Sequence, residues 1–323
     1  MAEARTLTAP RAAPDAQAAR EVADGLRRAQ PELPPKFFYD EAGSRLFEEI
    51  TRLPEYYLTR TERALMQRWM PAWIGPLAPA AMVELGAGSA EKTTIVLDAI
   101  AAASPRAVYV PVDVSGDFLD ETAVRIRAAY PSLQVQPVVA DFTEAFDLPD
   151  GLGGPVLHAF LGSTIGNFAP DDAVQLLRRV RARMAPGDRF LLGVDQRKNP
   201  ARIEAAYNDA AGVTAQFNLN MLRVVNTLAG TDFNVSRWEH RAFYNGVEHR
   251  IEMHLVSVID QTVTVPGSGE FAFRAGQTIR TEISAKHDHD SVEAMFAAAG
   301  LRIDEWVTDR DGLYALVLAS PAD

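Results

Sequence analysis

The chain has 323 residues, 47% of them apolar, enough for one large domain or two ordinary ones around a substantial core. Its 32 basic and 43 acidic residues leave a formal charge of −11, which argues against nucleic acid as a default partner. It has no cysteine, so disulfides, thiolate metal sites and cysteine nucleophiles are all excluded.

The Ala-rich start carries Glu3, Asp15 and Glu21 and does not read as a signal peptide. No apolar run approaches the roughly 18 residues of a membrane span. The expectation is a cytoplasmic, monomeric protein acting on a small molecule, with no membrane or nucleic-acid partner. The first thirteen residues read as loose. Asp15–Ala29 has the spacing of an amphipathic helix, ended by PELPP. Helical patterns follow over Lys36–Thr51 and Thr59–Trp73, with Thr59 and Glu62 spaced as a capping box.

From Met82 the pattern alternates. Strands are predicted at Met82–Leu85, Val108–Val112, Val135–Ala140, Val156–Leu161 and Phe190–Val194. Helices are predicted near Lys92–Ala103, Gly116–Ala129 and Asp171–Met184. Strands apolar on both faces, alternating with helices, indicate a parallel sheet covered on both sides. After Asp195 the alternation stops. Pro200–Ala210 and Val213–Leu228 look helical, and Trp238–Ile259 reads as a hairpin around Asn245-Gly246. Strands are predicted at Gln261–Val265 and Ala275–Ser284. The end of the chain then resumes the α/β pattern, with a helix stopped by Gly300 and two strands. The α/β domain is therefore expected to be discontinuous, 61–196 and 287–323, with 1–60 and 197–286 forming a second, smaller α+β unit.

In open α/β sheets, ligands bind beyond the carboxyl ends of the strands. Here those ends carry Gly86 and Gly88, then Asp113, then Asp141-Phe142, then Gly162, Ser163, Gly166 and Asn167, and finally Asp195. Asp113 stands where a carboxylate can take both ribose hydroxyls. Asp141 with Phe142 can accept from an exocyclic amine and stack on a purine. In MVELGAGSAEKT, Glu91 stands where a dinucleotide fingerprint has its third glycine. A carboxylate there would oppose a pyrophosphate at the helix N-terminus, but not an adenosine carrier without phosphates. S-adenosylmethionine is such a carrier, and this favours a methyltransferase over an NAD-type oxidoreductase. A cofactor-binding module without catalysis is a third reading.

Longer stretches are more specific. LPPKFFYDEAGSRLFEEITRLPEYYLTRTE, VELGAGSAEKT, FLGSTIGNF, AYNDAAGVTAQFNLNMLRVVN, HRIEMHL and TEISAK span nearly the whole chain from Leu33. With them the chain resembles the L-histidine Nα-methyltransferases of ergothioneine biosynthesis. The resemblance implies a Rossmann-like class I methyltransferase domain, with a seven-stranded, mostly parallel sheet whose last strand is antiparallel, plus a substrate domain. It implies S-adenosyl-L-methionine as cofactor, S-adenosyl-L-homocysteine as product, no metal, and three transfers to the histidine amine to give hercynine. Relatives acting on tryptophan or tyrosine keep another amino acid open as the substrate.

The resemblance also implies residue roles. Gly86 lies against the methionine part of the cofactor, and Lys92 helps hold it. Asp113 takes the ribose, while Asp141 and Phe142 take the adenine. For the substrate it implies Tyr39, Tyr56, Gly162, Asn167, Tyr207, Met253, Glu282 and Ser284. Tyr39 lies near the amine, Asn167 and Tyr207 at the amino-acid end, and Tyr56, Glu282 and Ser284 at the imidazole. The chain departs from the family at Leu58 and after Lys286. The KHDHD stretch, Lys286–Asp290, is tempting as a metal site but is read as a solvated helix entry capped by Asp290.

Overall fold

The computed structural model describes residues 14–322. The loose start expected of the first thirteen residues lies outside the described residues. Two compact units emerge. Among the described residues, one comprises 14–49, Ala210–Ala242 and Met253–Glu282; the other comprises Ile50–Asp209, Phe243–Glu252 and 283–322. Segments 50–60, 197–209, 243–252 and 283–286 thus cluster with the α/β unit.

The α/β unit is built on one sheet. Its strands in spatial order are β12 (Leu301–Thr308), β13 (Tyr314–Pro321), β6 (Arg189–Asp195), β5 (Val156–Phe160), β1 (Ala81–Leu85), β2 (Val108–Asp113) and β3 (Gln134–Val135); β4 (Val138–Val139) also pairs with β2. Strands β3, β2, β1, β5 and β6 run parallel, and β13 lies antiparallel between β6 and β12. The single strand predicted over Val135–Ala140 is two short ones, β3 and β4, so the sheet has eight strands. The break falls at Gln136-Pro137, where proline has no N–H to give a ladder.

The chain moves outward from β1 to β2 and β3, then returns to the other side of β1 for β5 and β6. The topological switch therefore lies between β1 and β5, and a crevice opens at their carboxyl ends. Every residue of β1 is buried, as are all but the first of β6. Val83, Val110, Phe160, Leu192 and Val317 pack with Leu177 and Val180 of α6 (Pro170–Arg183) and Val292 and Phe296 of α9 (His289–Ala299). Each such side chain contributes about 1.5–3 kcal/mol by leaving water. The core fixes the strand ends on which the site stands.

Helix α3 (Tyr57–Leu77) corrects the sequence reading. It starts two residues before Thr59, with Tyr56 at its N-cap, and no capping box forms. The cause is tertiary: Tyr57 is buried with its hydroxyl on Asp195, and Glu62 is wholly buried in the helix interior. The helix entry in KHDHD is also corrected. Asp288, not Asp290, caps α9, in a reciprocal box with Ser291. Lys286 is buried and His287 half-buried rather than solvated.

In the other unit, α1 (Ala16–Leu26) and α8 (Val213–Leu228) accompany most of a three-stranded sheet ordered β11 (Thr278–Ala285), β8 (Arg250–Ser257), β7 (Trp238–Asn245). A hairpin of β9 (Gln261–Val265) and β10 (Gly269–Phe273) completes it; β10 has no counterpart in the sequence reading. Phe38 stacks on Phe217 of α8 at 4.4 Å. Buried Asn218 bonds to the carbonyl of His254 and to Thr281 Oγ1, tying α8 to two strands.

Candidate active site

At the carboxyl end of β1 the chain turns through Gly86 (φ 64°) and Gly88 (φ 50°), left-handed conformations that favour glycine. Asp113, ending β2, locks the turn: Gly88 N–H donates to its Oδ2 at 3.0 Å and Ser115 N–H to its Oδ1 at 3.1 Å. Each carboxylate oxygen keeps a further lone pair for a sugar hydroxyl. Below the turn, Glu84 of β1 is buried and accepts from Thr93 Oγ1 and Tyr109 OH. Burial pushes its carboxyl up to about 7 despite these hydrogen bonds. Glu91 is exposed and lies two residues before the N-cap of α4 (Thr94–Ala103), so it does not cap that helix.

Phe142 lies over the turn. A Cβ on Gly86 would meet its ring at 3.5 Å. The ring packs edge-on against Phe160, 5.5 Å between centroids. Asp141 Oδ1 accepts from the Thr143 amide and hydroxyl, which fixes the carboxylate and commits only one of its oxygens. Gly86, Asp113, Asp141 and Phe142 thus gather at the ends of β1, β2 and β4. The open space above Gly88 and this donor and acceptor set suit an adenosine.

A second cluster holds Lys92. Its Nζ lies 2.5 Å from Glu62 Oε2. Glu62 Oε1 accepts the Gly162 N–H and the Tyr314 hydroxyl, both at 2.7 Å. Lys92 passes so close over Gly162 that a Cβ there would lie 2.8 Å from Nζ. Burial pushes the Tyr314 phenol well above its usual range, and Glu62 adds to this, so Tyr314 remains a donor. Beyond Gly162, Ser163 adopts φ 59° and a short 3-10 turn spans Thr164–Asn167. Such strain in a non-glycine residue gathers at functional sites. Asn167 is half-buried, and its carboxamide makes no hydrogen bond among the described residues.

A third cluster stands at the end of β6. Asp195 is wholly buried, with its amide on Ser163 Oγ at 2.9 Å. Its carboxylate takes the Tyr57 hydroxyl at 2.9 Å, Lys198 Nζ at 2.5 Å and Lys286 Nζ at 2.9 Å. Burial lowers Lys198 to about 8. Burial also works against the Lys286 ammonium, but Asp195 and Tyr207 outweigh it and hold the group above the usual lysine range. Lys286 continues to the Tyr207 hydroxyl (3.2 Å) and Ser284 Oγ (2.9 Å), and Tyr207 donates to Ser284 at 3.0 Å. The Tyr56 ring meets Tyr207 edge-on at 6.2 Å.

The α/β unit therefore brings together Tyr56, Tyr207 and Ser284 in one cluster and Lys92 with Gly162 in another. The family resemblance puts Tyr207 and Ser284 at different ends of the substrate, yet their oxygens are in direct contact. Tyr39, Met253 and Glu282 belong to the other unit. Tyr39 is 42% exposed, Met253 is buried on β8, and Glu282 is half-buried on β11. The sequence reading missed Glu62, Lys198 and Lys286. For Lys286 a signal existed: it lies two residues after Ser284, so strand geometry puts it on the same face.

A family described as "Histidine-specific methyltransferase, SAM-dependent" matches residues 18–321. The histidine N-alpha-methyltransferase of Mycobacterium tuberculosis is 42% identical over 93% of this chain and 94% of its own. The protein of the same name from Mycolicibacterium smegmatis is also 42% identical, with the same coverage. Ergothioneine biosynthesis protein 1 of Neurospora crassa is 30% identical over 91% of this chain, which corresponds to 33% of that longer protein. With that match along almost its whole length, the chain belongs to the S-adenosylmethionine-dependent, histidine-specific methyltransferase family.

Proposed function

We propose that the protein trimethylates the α-amino group of L-histidine with S-adenosylmethionine, giving Nα,Nα,Nα-trimethylhistidine (hercynine), a step of ergothioneine biosynthesis. The observation that carries this reading is the set Gly86, Asp113, Asp141 and Phe142 at the carboxyl ends of β1, β2 and β4, with the hydroxyls of Tyr207 and Ser284 tied through Lys286 to Asp195 at the end of β6. The family and the 42% identical relatives support the amino acid.

S-adenosylmethionine, when bound, supplies an electrophilic methyl on a sulfonium. In-line displacement by a neutral amine needs alignment more than a strong base. Gly86 leaves room for the methionine part, Lys92 is pre-set by Glu62, Asp113 takes the ribose, and Asp141 and Phe142 take the adenine. Asn167, with a carboxamide free to donate and accept, orients the amino-acid end beside Tyr207. Tyr39 stands near the amine. Tyr56, Met253, Glu282 and Ser284 select the side chain. A site that hydrogen-bonds an imidazole rejects a side chain lacking those groups, because its own buried polar groups are left unpaired. The reaction ends at the third transfer, since a quaternary nitrogen has no lone pair, and it draws on no metal. Segments 61–196 and 287–323 are proposed to bind the cofactor, and segments 1–60 and 197–286 the substrate.

Mass spectrometry after incubation with cofactor and the twenty amino acids tests the reading. A histidine species carrying three added methyl groups is expected. A product from tryptophan or tyrosine and none from histidine would replace the substrate. Tight S-adenosylhomocysteine binding with no methylated amine would make the protein a binding module.

A further inference from the structure

The last turns of α6 carry Arg178, Arg179, Arg181 and Arg183. Among the described residues none of them forms an ion pair, although the chain has a net charge of −11; each donates to backbone carbonyls instead. The helical repeat sorts them into two pairs. Arg178 and Arg181 reach the carbonyls of Ala298 and Gly300, both at 3.0 Å, and pin the end of α9. Arg179 reaches the Thr143 carbonyl, and Arg183 the Phe146 carbonyl at 2.8 Å. The Arg183 guanidinium also lies 4.5 Å from the centre of the Phe146 ring. The segment held by this second pair has no helix or strand, since β5 is the next element after β4. Its carbonyls have no ladder to join, and two guanidiniums supply the partners. Leu176, Leu177 and Val180 are buried, so α6 is a fixed base for both.

The clamp reaches Asp141 in two steps. Arg179 holds the Thr143 carbonyl, and the Thr143 amide and hydroxyl hold Asp141 Oδ1 at 2.9 and 2.5 Å. Asp141 is exposed, and an exposed side chain keeps its rotamer freedom unless something holds it. Its Oδ2 makes no hydrogen bond among the described residues. Phe142, between the two, packs against Phe160 and Phe168.

We propose that Arg179 is a positioning residue for base recognition: with Arg183 it holds the segment from Asp141 to Phe146 so that Asp141 Oδ2 meets the 6-amino group of the cofactor's purine. This rests on the reading that Asp141 and Phe142 take the adenine, and it adds the helix that sets their selectivity. A purine with a 6-oxo group sets a carbonyl against the carboxylate. A carboxylate held in place cannot turn away from that clash, whereas a loose one can. Rejection of the 6-oxo base is then a property of α6 as much as of Asp141.

Calorimetric titration of the full-length protein with S-adenosylhomocysteine and with S-inosylhomocysteine, its 6-oxo analogue, tests this. Wild type should prefer the amino form by about a hundredfold. Arg179→Met should cut that preference about tenfold, mainly by weakening S-adenosylhomocysteine, and Arg179→Lys should restore part of it. Arg181→Met is the control: it frees the end of α9, so it should lower the unfolding midpoint and keep the preference. A preference unchanged in Arg179→Met, or lost equally in Arg181→Met, would make the arginines structural only and overturn the proposal while leaving the adenine reading in place. If Arg179→Met does not fold, Thr143→Val decides, since it removes one of the two bonds to Asp141 Oδ1; an unchanged preference there overturns the proposal too. Wild type binding both compounds equally removes the adenine reading, and this proposal with it.

Discussion

Glu62→Gln isolates the tether that holds Lys92. Glu62 is wholly buried, and its two oxygens have separate duties. Oε1 accepts from Gly162 N–H and Tyr314 OH; Oε2 receives Lys92 at 2.5 Å. Glutamine keeps an oxygen for the first pair and sets an NH2 donor against the ammonium. The damage is thus confined to Lys92. Removing one partner of a buried pair costs about 3–5 kcal/mol when the other stays trapped. Lys92 is 24% exposed and can turn to water, which reduces the loss to roughly 1–3 kcal/mol. Lys92 also loses its fixed position over Gly162, so S-adenosylhomocysteine affinity should fall about tenfold. Urea unfolding and calorimetric titration measure the two effects separately. In Lys92→Met, Glu62→Gln should cost no further cofactor affinity, the signature of two residues acting as a unit. A lower unfolding midpoint with unchanged affinity would show that the tether serves stability alone and would refute the argument.

Gly193→Ala should reproduce part of that phenotype, because its Cβ would run into Glu62 Oε1 and the Tyr314 hydroxyl; unfolding and cofactor titration of this variant check it. Glu84 makes stability depend on pH. Its carboxyl rises from 4.5 unfolded to about 7 folded through burial, so the folded state favours the protonated form. That contribution is complete below pH 4.5 and lost as pH rises through 7, on the order of 3 kcal/mol across the window. The unfolding free energy of wild type should therefore fall by about that much more between pH 5 and pH 8 than that of Glu84→Gln. At α9, Asp288→Ala should cost about 1 kcal/mol by removing the cap, while Asp290→Ala should leave the melting temperature unchanged.

Much of the fold was legible because it rests on local patterning. Apolar runs at β1, β2, β5 and β6 alternate with helices, and this order alone puts Gly86, Asp113 and Gly162 on one edge of a parallel sheet. The failures share a cause. Thr59 and Glu62 have capping-box spacing, but burial of Tyr57 against Asp195 moved the helix start and carried Glu62 inside. KHDHD has the composition of a solvated turn, but Lys286 found a buried carboxylate 91 positions earlier in the chain. In both cases a long-range partner overrode a local preference worth about 1 kcal/mol.

The same logic explains why the charged groups behind the site escaped the sequence reading. A residue that touches a ligand tends to sit in a short motif, because the backbone must present it at a turn or strand end. A residue that positions it needs only to reach it. Glu62 meets Gly162 at a separation of 100 residues and Tyr314 at 252. Asp195 meets Tyr57 at 138. No spacing rule links such pairs, and what unites them is the cost of burying a charge. Each buried carboxylate must be met by lysines or hydroxyls, and those partners take up lone pairs and protons that would otherwise be free. Lys92, the Gly162 amide and Ser284 are each held by such a partner. In the proposed site, substrate preference would therefore be set partly by such residues, through the hydrogen-bonding options they remove from their neighbours.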